Sequence, residues 1–170
     1  MDKETAEIYH CGILTISDKG SQGKRQDTSG PQLQEQLRSA GPYTISRYTI
    51  VADDPTAISS TLKTWCDQEG LDLILTTGGT GVSPSDQTPE TTLPLLDKEI
   101  PGISEMMRMA SFQKTPNAIL SRGVAGIRKN CLIINLPGSE RGARENLETI
   151  LPGLAHAIYK IKGGSKDCGS

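Results

Sequence analysis

The chain has 170 residues, with 18 lysines and arginines against 20 aspartates and glutamates, a net charge of −2. That length fits one domain of ordinary size, about 100–150 residues, and is enough to bury roughly 70% of the surface an unfolded chain exposes. The near-neutral balance and an aromatic content of 4% exclude a duplex-binding basic surface and a base-stacking platform, and no apolar run approaches the roughly 18 residues of a membrane helix.

Residues 1–10 (MDKETAEIYH) contain no signal-peptide core. The four cysteines, Cys11, Cys66, Cys131 and Cys168, show no CxxC spacing, so the expectation is reduced thiols in a cytoplasmic protein rather than a zinc site or a disulfide framework. Residues 9–17 (YHCGILTIS) read as a buried strand. Residues 31–40 read as a helix, with Leu33 and Leu37 on one face, Pro31 near its first turn and Gly41 as its stop. Residues 43–51 (YTISRYTIV) form a β-branched, aromatic strand. Residues 55–69 read as a helix capped by Asp54, with Pro55 in the first turn and Ile58, Leu62 and Trp65 sharing a face.

Residues 71–77 (LDLILTT) are a third strand, followed by GGTG at 78–81. A helix is predicted to open at Thr88-Pro89-Glu90, with the Thr88 hydroxyl as its cap. Another helix follows at 101–113, where Met106, Met107 and Met109 read as core or interface filler. Residues 120–127 and 131–136 read as a hairpin around Arg128-Lys129-Asn130. Two helices, 139–150 and 152–162, are predicted to break at Pro152, and the GGSKDCGS tail to fray.

The alternation of strand and helix implies an α/β, three-layer α/β/α sandwich, mostly parallel, with one antiparallel hairpin strand. The whole chain, 1–170, reads as a single domain with an ordered core over about 8–162. In such sheets, ligands bind beyond the carboxyl ends of the strands. Those ends carry Ser17-Asp18, Asp53-Asp54, TTGGTG (76–81) and NLPG (135–138) before Ser139.

The GGTG glycines permit positive φ and can turn backbone N–H groups toward one point, an anion nest. The same glycines also suit a simple tight turn, and for GGTG alone both readings stand. The loop is not a Walker A sequence, because no GK[ST] follows, and Pro84 stands where GxGxxG would need its third glycine. Asp86 tips the balance: a carboxylate beside a phosphate nest repels the ligand unless a cation intervenes, and Mg²⁺ is the natural bridge. Asp54 has a capping role, so Asp53, with no evident local role, is the favoured second carboxylate. Ser121 and Arg122 are of types that donate to phosphate, as is Arg128. The histidines, His10 and His156, sit in no nucleophile-like context.

The strings TISD (15–18), TTGGTG, DQTPE (86–90), ILSR (119–122), AGIR (125–128) and NLPG resemble the MoaB/Mog proteins of molybdenum cofactor synthesis and their eukaryotic relatives, the gephyrin G domain and its plant counterpart. The resemblance covers about residues 10–162. It implies an α/β sandwich, a homotrimer, and a molybdopterin adenylyltransferase that uses Mg²⁺ and ATP, with molybdopterin as second substrate and a molybdate-insertion enzyme as a further partner. The alternative it leaves is a non-catalytic molybdopterin carrier of the same family. Carried over by motif, Asp86 and Asp53 are the catalytic, metal-holding carboxylates. Gly78, Gly79, Thr80 and Gly81 bind nucleotide or pterin phosphate, and Ser121 contacts the pterin phosphate. Ser17, Asp18, Pro137 and Gly138 line the pocket, and Thr88, Arg122 and Ser139 complete the candidate set. Ser139-Glu140-Arg141 follows LPG here, where many relatives continue with Asn-Pro.

Overall fold

The computed structural model describes residues 7–165. Cys168 and residues 166–170 of the tail predicted to fray lie outside them. Strand β1 (Tyr9–Ile16) leads through a short helix, α1 (Asp18–Ser21), to α2 (Ser29–Ala40) and β2 (Tyr43–Val51). Helix α3 (Pro55–Lys63) runs on as a π-turn over Thr64–Gln68 before β3 (Leu73–Thr77). Helix α4 (Thr88–Thr92), a 3₁₀ turn over Leu93–Leu95 and the short β4 (Lys98–Glu99) follow. Helix α5 (Pro101–Phe112), a second 3₁₀ turn at Pro116–Leu120, β5 (Ala125–Arg128), β6 (Cys131–Leu136) and α6 (Glu140–Ile161) complete the order.

The sheet has six strands in the order β2-β1-β3-β6-β5-β4. Strands β2, β1, β3 and β6 are parallel; β5 is antiparallel to both β6 and β4. Period-two alternation along the central strands divides their side chains between two cores. Ile13, Leu75 and Ile134 point to the side covered by α2, α5 and α6. Leu14, Ile74 and Ile133 point to the other, under α3 and its π-turn. All six are fully buried, so each contributes about 1.5–3 kcal/mol relative to exposure.

Three expectations need correction. Helix α6 is continuous through Pro152 instead of two helices. Its buried positions, Leu147, Ile150, Leu154 and Ile158, keep one register across the proline. The carbonyl deprived of its donor belongs to Glu148, on the exposed face where water can reach it. Residues 120–124 are not strand: the hairpin is shorter, and its turn is Lys129-Asn130, with Lys129 at φ 52°. Thr88 is not a cap; Gln87 precedes α4, and the Thr88 hydroxyl bonds elsewhere.

Strand order reverses at β1, which connects first to β2 on one side and later lies against β3 on the other. In an open α/β sheet that switch point makes a crevice at the strands' carboxyl ends. The loops that follow Ile16, Val51, Thr77 and Leu136 therefore converge above it.

Candidate functional site

Two cavities lie at that end of the sheet. One, of about 410 Å³, is lined by Ser17, Asp27, Asp53, Gly78, Gly79 and Asp86 among others. The second, of about 430 Å³, is lined by Thr80, Gly81, Arg108, Lys114, Ser121 and Arg141 among others. Gly138 and Ser139 form a wall common to both.

The four glycine-loop residues divide between the cavities rather than facing one point. Gly78 (φ 110°) and Gly79 (φ 67°) take the positive φ that a Cβ disfavours, and they line the first. Thr80 and Gly81 line the second. The N–H groups of Gly79, Thr80 and Gly81 have no partner in the described chain, so they remain available to a ligand. The loop is hooked from below by Thr88: its N–H donates to Gly79 O at 3.1 Å and its hydroxyl to Gly78 O at 2.9 Å. Thr88 is fully buried, so it supports the loop and does not reach a cavity. Beneath it, the buried Asn135 amide donates to Thr76 Oγ1 (2.9 Å) and Thr92 Oγ1 (3.2 Å), a polar base for the loop inside an apolar layer.

The NLPG turn is pinned from two sides. Thr77 Oγ1 donates to Pro137 O at 2.7 Å, and Ser29 Oγ to Gly138 O at 2.9 Å. Ser139 Oγ accepts from Gly142 N at 3.1 Å and caps α6, as Ser17 Oγ accepts from Gly20 N at 3.0 Å and caps α1.

Asp54 caps α3 as expected, accepting from Ala57 N at 2.7 Å. Asp53 has a local role that the sequence did not reveal: Asp53 Oδ2 accepts from Asp18 N (3.1 Å) while Asp18 Oδ1 accepts from Asp53 N (2.9 Å). This reciprocal pair ties the end of β2 to the end of β1. Asp18 does not line either cavity. Asp86 Oδ2 accepts from Ser83 N at 3.0 Å. Asp53 and Asp86 thus each keep Oδ1 without a hydrogen-bond partner among the described residues.

Burial pushes the Asp53 carboxyl above the ordinary aspartate value; the hydrogen bond from Asp18 N–H works against that rise, and the negative charges of Asp18 and Asp86 add to it. A cation relieves this kind of stress. No group of three or more His, Cys, Asp or Glu side chains among the described residues is arranged to hold a metal alone. Two carboxylates with open oxygens fit Mg²⁺, which commonly takes one or two carboxylates and completes its shell with substrate oxygens and water.

The second cavity has the opposite character. Arg108, Lys114 and Arg141 line it, with Glu145 paired to Arg141 (3.0 Å) and Lys114 (3.3 Å). The hydrogen bond from Arg141, foremost, holds the Glu145 carboxyl below its usual range. Asn146 is fixed by Ser111 Oγ, which donates to its Oδ1 (3.2 Å), and by its own amide, which donates to Gly142 O (2.7 Å).

Arg122 and Arg128 do not line either cavity. Arg128 makes a two-point ion pair with Asp67 at 2.6 and 2.9 Å on the π-turn. Asp27, Ser29, Arg108 and Lys114 belong to the cavities, though the sequence reading did not single them out. Asp27 is set by three donors: Thr15 Oγ1 (2.6 Å), Tyr48 Oη (2.7 Å) and Gly30 N (3.1 Å). The signal that could have found it is the polar, Gly-flanked stretch after β1, a strand-end loop of the same kind as those chosen.

Residues 12–156 match a family described as "Probable molybdopterin binding domain". A protein of Helicobacter pylori named molybdopterin adenylyltransferase is 43% identical over 161 residues, which cover 92% of this chain and 90% of that protein. Gephyrin of Dictyostelium discoideum is 43% identical over 169 residues, 94% of this chain and 23% of that longer protein. The crystal structure of the molybdopterin biosynthesis enzyme MoaB of Thermus thermophilus superposes with a TM-score of 0.87 at 52% identity, covering 92% of this chain and 98% of the other.

Proposed function

Since the chain belongs to the molybdopterin-binding domain family, we propose that it is a molybdopterin adenylyltransferase, transferring AMP from Mg-ATP to the terminal phosphate of molybdopterin and releasing pyrophosphate. The observation that carries this reading is the pair of cavities of opposite charge sharing the Gly138–Ser139 wall. A site that joins two anionic substrates needs both pockets within one bond's reach.

The pterin phosphate belongs in the second cavity, where Arg108, Lys114 and Arg141 offer charge and Ser121 a hydroxyl. The triphosphate belongs in the first, beside Asp53 and Asp86. Those two aspartates would hold Mg²⁺, which neutralises triphosphate charge when bound. An oxygen of the pterin phosphate attacks the α-phosphorus of ATP; the new P–O bond forms as the bond to the β-phosphate breaks. The free N–H group of Gly79 on the first cavity and those of Thr80 and Gly81 on the second would donate to phosphate oxygens held in their own cavities. Positioning supplies most of the remaining acceleration. No proton has to be carried between substrates, in keeping with cavities lined by neither His10 nor His156.

The homotrimer implied by the resemblance has a fitting surface. Met106, Met109 and Phe112 on α5, with Ile119 and Leu120 beyond it, are large and exposed, and spacings of three residues put the first three on one face. A molybdate-insertion enzyme is the partner that would take the product.

Incubation with molybdopterin and Mg-ATP, followed by mass analysis, tests the reading. Adenylyl-molybdopterin and stoichiometric pyrophosphate are expected. Tight pterin binding with no ATP consumed would instead identify a carrier.

A further inference from the structure

Arg122 is of the type expected to grip phosphate, yet its guanidinium is spent elsewhere. Nε donates to Gly81 O at 2.7 Å and Nη2 to Asp86 O at 2.8 Å, while Nη1 pairs with Glu90. Its backbone N–H donates to Thr80 O at 2.9 Å. One residue thus grips the segment from Thr80 to Glu90 at four places. Val82, Ser83, Pro84 and Ser85 between those points are exposed and, among the described residues, are held only to one another and to Asp86: Asp86 N donates to Ser83 O (2.9 Å), Ser83 N to Asp86 Oδ2 (3.0 Å), and Ser83 Oγ lies 3.5 Å from Ser85 Oγ, while Thr88 ties the far end of the segment to Gly78 and Gly79. An exposed loop of that kind has many conformations, and few of them aim the Asp86 carboxylate into the cavity.

We infer that Arg122 is a positioning residue: its planar fork bridges the Gly81 and Asp86 carbonyls and so fixes the Asp86 carboxylate, rather than contacting a substrate phosphate itself. The inference deepens the proposed function and rests on its assignment of Asp86 to the cation and the triphosphate. Lysine keeps the charge but carries its three donors on one nitrogen, whereas Arg122 meets the Gly81 carbonyl, the Asp86 carbonyl and Glu90 with three separate nitrogens of a planar fork. A phosphate contact would tolerate it in part, whereas a bridge would not.

The test is calorimetric titration of ATP into the full chain over a magnesium chloride series, without pterin, to read the Mg²⁺ half-saturation. Arg122→Lys should raise it about 10-fold, the lower end of what loss of a ligand-orienting partner costs a metal site. In an Asp86→Asn background the same change should cost less than about twofold, because the two residues act through one path. Molybdopterin affinity should fall by much less than Mg²⁺ half-saturation rises, because of the two bridged carbonyls only that of Gly81 belongs to the second cavity. Glu90→Gln, which frees only the outer end of the guanidinium, should shift Mg²⁺ half-saturation in the same direction by less, and it keeps the inference testable if the lysine variant folds poorly. An equal effect in both backgrounds, flat responses from both Arg122→Lys and Glu90→Gln, or a matching loss of pterin affinity would overturn the inference while leaving the proposed function standing. If Asp86→Asn alone leaves Mg²⁺ half-saturation unchanged, the cation assignment falls and this inference with it.

Discussion

Asp53 carries two demands that conflict. Its Oδ2 stabilises the fold through Asp18 N–H, while burial and the charges of Asp18 and Asp86 penalise its ionised form. A raised carboxyl pKa means that the ionised form costs the folded state free energy. That cost is fully present above the folded-state pKa and vanishes below the unfolded value of about 3.9. Asp53→Asn keeps an acceptor for Asp18 N–H and removes the charge, so its melting temperature at pH 7 should rise by about 2 °C, as is common when a strained site residue is relaxed. The gain should fade as calorimetric scans are taken toward pH 4, and AMP transfer should fall even where stability rises. Sequence reading chose Asp53 because Asp54 had the cap, but it assigned no local role to Asp53. The partner that provides one is 35 residues away, on the neighbouring parallel strand's end. Thr88 was misread for a similar reason: its spacing suits a cap, and only the fold brings Gly78 O beneath its hydroxyl.

Strands, helices and their order were readable because period-two and helical patterns are local. What escaped were features decided by the far side of an element. Pro152 reads as a break, yet α6 runs through it because Ile150 and Leu154 on either side share the core face and their burial outweighs one lost backbone bond. That bond still has a cost. Pro152→Ala restores a donor to Glu148 O, and interior proline costs about 3 kcal/mol, partly offset by about 1 kcal/mol of unfolded-chain entropy that proline removes. Chemical denaturation should therefore show Pro152→Ala more stable by about 2 kcal/mol. No gain, or a loss, would mean that the helix bends at Pro152 to fit its neighbours. The two-residue strand β4 was invisible because Lys98–Glu99 is too short to carry a pattern; it exists by pairing with β5.

At the scale of the molecule, a net charge of −2 hides a division of labour. Acidic side chains outnumber basic ones in one cavity, where Arg25 stands among Asp27, Asp53, Asp86 and Glu140, and basic ones outnumber Glu145 in its neighbour; only the strand order β2-β1-β3-β6 places the two side by side. The motifs announced the loops; that they enclose two compartments instead of one nest required the three-dimensional arrangement. The exposed stripe of Met106, Met109 and Phe112 belongs to the same scale. Met109 is 65% exposed, so Met109→Asp spares the core; where the proposed trimer closes through this stripe, the variant should sediment as one chain instead of three, with an unchanged circular dichroism spectrum. An unaltered trimer would place the contact elsewhere. The central claim is that Asp86 serves Mg-dependent transfer of AMP between the two cavities. Its most direct test gives Asp86→Asn protein, folded and still binding molybdopterin, a supply of Mg-ATP and measures adenylyl-molybdopterin formed per minute. The account predicts a fall of at least about 100-fold, the loss typical of removing one charge-stabilising group; AMP transfer at the unmodified rate would contradict it.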